Sequence, residues 1–208
     1  RASVPKIPRE VALGVQELLG DDTVQCGGCG SKVAQKPLLE GLGAQKPALS
    51  SFDDAAIMKK GRGFEVLSTD HLRAFCDDPV LMTRIAAVHA LGDIWSMGAA
   101  PQAALVGLIL PRMSAQLQER TLAEIMQTAS DVMGAAGAQI IGGHTSMGAE
   151  FTIGFSVTGL ASATPITLGG AQAGDVLVLS KAVGTGVILA AEMQMKAKGS
   201  DVAAAYAS

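Results

Sequence analysis

Aromatic side chains make up only 3% of this 208-residue chain, and its 16 Lys and Arg are outnumbered by 19 Asp and Glu. A nucleic-acid surface wants the opposite, a basic patch interleaved with rings on which bases stack. Composition therefore argues against a nucleic-acid partner. No apolar run reaches the roughly 18 residues of a membrane-spanning helix, so no membrane span is expected. Cysteine is scarce as well: three occur, two of them in Cys26-Gly-Gly-Cys29. That is too few for the disulfide framework of a small secreted domain, and a reduced, cytoplasmic compartment is the expectation. The chain also lacks a charged-then-apolar leader at Arg1. Its last residues, Asp201 to Ser208, read as the inside of a helix, so a piece of a longer protein is expected.

What is present suits a globular fold with a sizeable core: 49% of residues are hydrophobic and 25 are glycine. Residues 1–22 hold Pro5, Pro8 and one short amphipathic run, and read as a linker or junction. Residues 23–168 form the main unit. Residues 169–208 are the opening of an incomplete second domain, with the boundary in the glycine-rich stretch from Pro165 to Gly174. Within the main unit, helices are expected at residues 37–42, 84–98 and 117–136. Strands are expected at 55–58, 64–70, 103–110, 138–141 and 151–158. Past the boundary the pattern restarts with a strand over Asp175 to Lys181 and a helix from Val187.

The stretch Arg84-Ile-Ala-Ala-Val-His-Ala-Leu-Gly-Asp93-Ile-Trp-Ser-Met-Gly98 has apolar residues on nearly every side, as a helix buried all round does. His89 and Asp93 break the pattern and stack one turn apart. A buried, unpaired carboxylate costs several kcal/mol, roughly, so Asp93 needs a cation, a donor or a metal. Asp53, Asp54 and Asp70 stand at element ends, where Asp also serves as a turn cap. Four carboxylates without a run of histidines suit magnesium better than zinc, because hard cations take oxygen ligands and leave room for phosphates and water. Gly142-Gly-His-Thr145, expected between two strands, reads either as a bend or as a backbone that approaches a phosphate closely. Cys26-Gly-Gly-Cys29-Gly-Ser-Lys32 has three chemical readings. It is half a zinc site, which Cys76 and scattered His71, His89 or His144 would have to complete; a redox pair; or a nucleophilic thiol beside Lys32.

Phe52-Asp-Asp-Ala-Ala-Ile57, Ser68-Thr-Asp70, Ala90-Leu-Gly-Asp-Ile-Trp-Ser-Met-Gly98 and Gly142-Gly-His-Thr145 together resemble a known superfamily. It is the ATP-binding domain shared by aminoimidazole ribonucleotide synthetase, thiamine-monophosphate kinase, a hydrogenase maturation factor and selenophosphate synthetase. The likeness covers roughly Cys26 to Leu160. It implies an α/β (α+β) fold, a mixed, largely antiparallel sheet packed by helices. Cys29-Gly-Ser-Lys32 further resembles the Cys/selenocysteine-Gly-Cys-Lys motif of the selenide, water dikinases. That resemblance implies Cys29 and Lys32 as catalytic residues, with Lys32, Gly142, Gly143 and Thr145 at the nucleotide and Asp54, Asp70 and Asp93 at magnesium. It implies ATP and selenide as substrates and a homodimer in which two sheets join. Three positions depart from the family: Ser31 replaces the second motif cysteine, Cys26 is additional, and His89 stands where Asn is usual. The lead-in resembles forms fused to an upstream redox domain. A thiamine-monophosphate kinase-like phosphotransferase and a non-catalytic nucleotide-binding module are the alternatives.

Overall fold

Buried and exposed residues alternate along Ala104 to Leu110 and along much of Ile153 to Ala161, and these two stretches become the middle of a five-stranded sheet. The computed structural model describes residues 35–43 and 53–208. A short helix α1 (Gln35–Leu42) precedes strands β1 (Ala56–Lys60) and β2 (Gly63–Arg73). Helix α2 (Pro79–Ser96), β3 (Ala100–Pro111), helix α3 (Ala115–Ala135), β4 (Gln139–Gly148) and β5 (Thr152–Ala161) follow. Helices α4 (Thr185–Met193) and α5 (Gly199–Ala207) close the chain. The strand order is β1-β2-β5-β3-β4, with every pair antiparallel except β3 and β4. Parallel neighbours need a long crossover, and the 21 residues of α3 supply it.

Both long helices start on side-chain caps. Asp78 accepts from the Val80 and Leu81 N–H groups at 2.8 and 3.1 Å, with Pro79 in the first turn. Ser114 accepts from Leu117 N–H at 3.3 Å. The helices lie on one face of the sheet and bury Met82, Leu91, Ile94, Ile125 and Met133 together with Val66, Leu108, Ile153, Phe155 and Val157. With so few rings in the chain, methionine and branched aliphatics fill most of this core, and Phe155 is its largest fully buried side chain. Gly154 on β5 sits against β2 so closely that a Cβ there would lie 2.6 Å from His71 Cβ and 2.7 Å from the Asp70 carbonyl oxygen. Among the described residues no helix is long and apolar enough to cross a membrane.

The sheet is mixed and largely antiparallel, as expected, but four local expectations need correction. Helix α2 begins at Pro79, and it is not buried all round: Val88 and Trp95 are each 47% exposed, since a single sheet covers only one side. Strand β2 does not end on Asp70 but pairs with β5 as far as Arg73. Gly142 to Thr145 do not lie between strands. They belong to β4, because β3 offers an unbroken parallel ladder from Leu105 to Pro111. Residues 175–181 form no strand; Val176 to Leu179 are 70–97% exposed, and no strand among the described residues pairs with them.

Beyond that stretch, α4 packs Leu189 and Met193 against the core, and Tyr206 of α5 donates a hydrogen bond to Glu192 Oε2 at 3.1 Å. Burial first, and then this bond to a carboxylate, push the Tyr206 hydroxyl up to about 12.

Gly154→Ala is expected to lower stability by about 1–3 kcal/mol through forced displacement of β2. An unchanged urea midpoint would contradict the close strand approach. Tyr206 is the only tyrosine, so ultraviolet titration reads it alone. Its midpoint should fall near 12 in the folded chain and near the ordinary 10 in denaturant. A raised acid favours its neutral form in the fold, so its stabilising contribution is complete below about pH 10 and is lost as pH rises through about 12.

Candidate active site

Side chains alternate across β2, so Val66, Ser68, Asp70 and Leu72 turn toward the helices while Thr69, His71 and Arg73 turn to the open face of the sheet. On α2, His89 and Asp93 lie one turn apart and meet this strand. Ser68 Oγ donates to Asp93 Oδ2 at 2.5 Å. His89 Nε2 lies 2.8 Å from Asp70 Oδ2, with the two side chains 33% and 14% exposed. Asp70 Oδ1 also accepts the backbone N–H of His71 at 2.9 Å. The Asp93 carboxylate thus finds the donor that its place on an apolar helix demands, and the donor comes from the strand. Hydrogen bonds to a charged group contribute roughly 1.5–3 kcal/mol each.

The other candidate carboxylates stand elsewhere. Asp53 accepts the Leu168 N–H at 2.8 Å and ties the approach to β1 to the segment after β5. Asp54 is exposed in the bend before β1. Among the described residues no three Asp, Glu, His or Cys side chains come together closely enough to hold an ion. The structure therefore brings Asp70 and Asp93 to one seam and leaves Asp54 apart. Cys26, Cys29 and Lys32 lie outside the described residues. The remaining cysteine, Cys76, has its Sγ 3.6 Å from the Asp78 carbonyl oxygen. Burial pushes its thiol up, which is the opposite of what an activated nucleophile needs.

Strand β4 carries the glycine motif, and an extra residue sets its orientation. Ala104 pairs with Ile140 but Leu105 with Gly142, so Ile141 is a bulge that shifts the alternation by one. After it, His144 pairs with Gly107 on the open face and Thr145 with Leu108 on the helix face. A Cβ on Gly143 would lie 2.1 Å from the Val106 carbonyl oxygen, so strand contact alone demands glycine there. Gly142 is less confined; its Cβ would meet Leu105 Cδ2 at 3.4 Å.

A concavity of about 600 Å³ opens on the sheet face away from the helices. The paired row His71, Gly154, Gly107, His144 crosses it, so two glycines form a flat floor between two imidazoles. Thr69 Oγ1 and Ser156 Oγ share a hydrogen bond of 2.9 Å beside that row. Arg73 and Glu150 close the rim as an ion pair. Asp70 contributes to this lining as well as to the seam. Its volume is in the range of small-ligand sites.

Ser68, Arg73 and Glu150 were not foreseen. Ser68 was within reach, since it stands two residues before Asp70 and therefore on the same strand face. Arg73 and Glu150 are far apart in sequence, and no periodicity connects them.

A family model for AIR synthase related protein, N-terminal domain, matches residues 52–161, the span that holds the sheet, the seam and the concavity. The chain belongs to that family. Among curated relatives of this AIR synthase related domain, a selenide, water dikinase of Bdellovibrio bacteriovorus is 36% identical over 197 residues, 89% of this chain and 56% of its own length. One of Nitrosomonas eutropha is 37% identical over 191 residues, 86% of this chain and 54% of its own. The chain spans about half the length of these relatives. Among solved structures, tt0281 from Thermus thermophilus superposes with a TM-score of 0.53 at 23% identity, covering 65% of this chain and 46% of that one. At that identity the likeness concerns the fold.

Proposed function

We propose that this chain is the ATP-binding part of a selenide, water dikinase, which converts ATP, selenide and water to selenophosphate, AMP and phosphate. The observation that carries the reading is the seam itself. Asp70 and Asp93, from separate sequence motifs, are each held across the seam where β2 faces α2, in a chain similar to selenide, water dikinases over 89% of its length. The two carboxylates fit magnesium, since they offer oxygen, and this ion is commonly held by one or two carboxylates with phosphates and water filling its remaining positions. When bound, magnesium neutralises and orients the polyphosphate.

Asp70 and Asp93 hold that ion in this proposal, with Asp54 joining from the bend before β1. The antiparallel register favours such a move, because going back along β1 from Ala56 leads toward Ser68 and Asp70. Lys32 stabilises the phosphoryl group in transfer, and Cys29 delivers or shields selenide. Gly142, Gly143 and Thr145 approach the phosphates, although Gly143 already has a packing reason to be glycine. Leu105, Ile109 and Leu160 leave apolar surface on the open sheet face, which supports a homodimer joined there. Because the chain spans about half the length of its relatives, the remaining ligands belong to a second domain, and the complete reaction belongs to the longer protein.

Anaerobic phosphorus NMR of the longer protein with ATP, magnesium and selenide should show selenophosphate and AMP. Asp70→Asn and Asp93→Asn are each expected to reduce both products by roughly 100-fold or more, well beyond the 10–100-fold typical of losing an outer-shell partner. ADP formed only with thiamine monophosphate, or no turnover despite ATP binding, would replace this reading with one of its alternatives.

A further inference from the structure

Four side chains at the β2 and α2 seam form two crossed links. Ser68 on the strand holds Asp93 on the helix at 2.5 Å, and His89 on the helix reaches Asp70 on the strand at 2.8 Å. Each carboxylate is thus gripped by the element that does not carry it. The two links fit because the spacings agree: two residues of strand advance about 6.8 Å, and four residues of helix advance about 6 Å. The helix must run opposite to the strand for the pairs to form, and it does, since Ser68 meets the later helix residue and Asp70 the earlier one. A third contact, from His71 N–H to Asp70 Oδ1, fixes the strand carboxylate further.

An Asp side chain without such contacts samples several rotamers, and ordering it weakens cation binding. Two nearby carboxylates also repel each other, and a donor on each lessens that repulsion. From this geometry we propose that Ser68 and His89 are positioning residues, which fix the Asp70 and Asp93 carboxylates for a divalent cation before it arrives. The inference rests on the reading of those two aspartates as cation ligands. Neither positioning residue need touch the ion; each acts through the carboxylate that it holds. The arrangement also explains why His89 and Asp93 interrupt an otherwise apolar helix together: His89 serves the aspartate of the strand, not its neighbour one turn on.

The test uses the longer protein and manganese as the spectroscopic probe, with free manganese read by electron paramagnetic resonance and no nucleotide present. The unaltered protein should bind the ion, and Asp70→Asn and Asp93→Asn should abolish binding. Ser68→Ala and His89→Ala should each weaken it by roughly 10–100-fold. The conservative variants Ser68→Thr and His89→Asn, which keep a donor, should stay within a few-fold of the unaltered protein. Unchanged affinity in both alanine variants, with binding lost in the aspartate variants, overturns the positioning role and leaves the cation site standing. Absence of binding by the unaltered longer protein overturns the cation site and the positioning role with it. A second measurement needs no variant that might fail to fold: three-bond couplings across χ1 of Asp70 and Asp93 in the metal-free protein. One fixed rotamer for each is expected, and rotamer averaging at either would overturn the proposal.

Discussion

A carboxylate on a helix that packs against a sheet must find its donor in that sheet, and much of the arrangement around α2 follows from how Asp93 meets this need. Ser68 answers it, and only because β2 turns its even-numbered residues toward the helices. That choice of face also directs Asp70 inward, where it would be costly alone. His89, one turn before Asp93, removes the cost. Four polar residues thus stand between two layers of aliphatic side chains without leaving a buried side-chain oxygen or nitrogen unpartnered among the described residues. A shift of β2 by one residue would bring Thr69 and His71 to the helices and break both links at once.

Glycine governs the other side of the sheet. At Gly154 the neighbouring strand leaves no room for a Cβ, and at Gly143 the same holds against β3. The contact at Gly154, with Gly107 paired beside it, keeps the centre of the open face bare of side chains, so the concavity there is a consequence of strand packing before it is a site. The β4 bulge at Ile141 then decides which residue looks over it: His144 does, and Thr145 does not. Packing and recognition therefore compete for the same glycines, and the presence of glycine in this motif is not by itself a sign of phosphate contact.

Much of this was legible in the chain. Helical spacing from Leu117 to Ala136 marked α3 closely, and the His89 and Asp93 pair pointed to an unusual helix face. The carboxylate seam was half visible, since both aspartates and His89 stood out while Ser68, which holds Asp93, did not. A period of two along β2 identifies which side chains share a face, but it does not say which element that face will meet. The sequence understates β4 because glycine weakens the strand pattern, while a parallel ladder with β3 supplies what propensity lacks. The reverse holds at Val176 to Leu179, where the composition is that of a strand and no ladder forms among the described residues.

That last stretch carries a physical liability of its own. Asp175-Val-Leu-Val-Leu-Ser-Lys181 is a short, β-prone, proline-free window whose four central side chains are 70–97% exposed, with one charge at each end. Such windows are the seeds of cross-β stacking when they meet in register. The flanking Asp175 and Lys181 then act as gatekeepers: opposite in sign, they pair head to tail in antiparallel stacks and repel in parallel, in-register ones. Cover for these four aliphatic residues has to come from outside the described sheet, and where none is provided the two framing charges are what separates this window from its own copies.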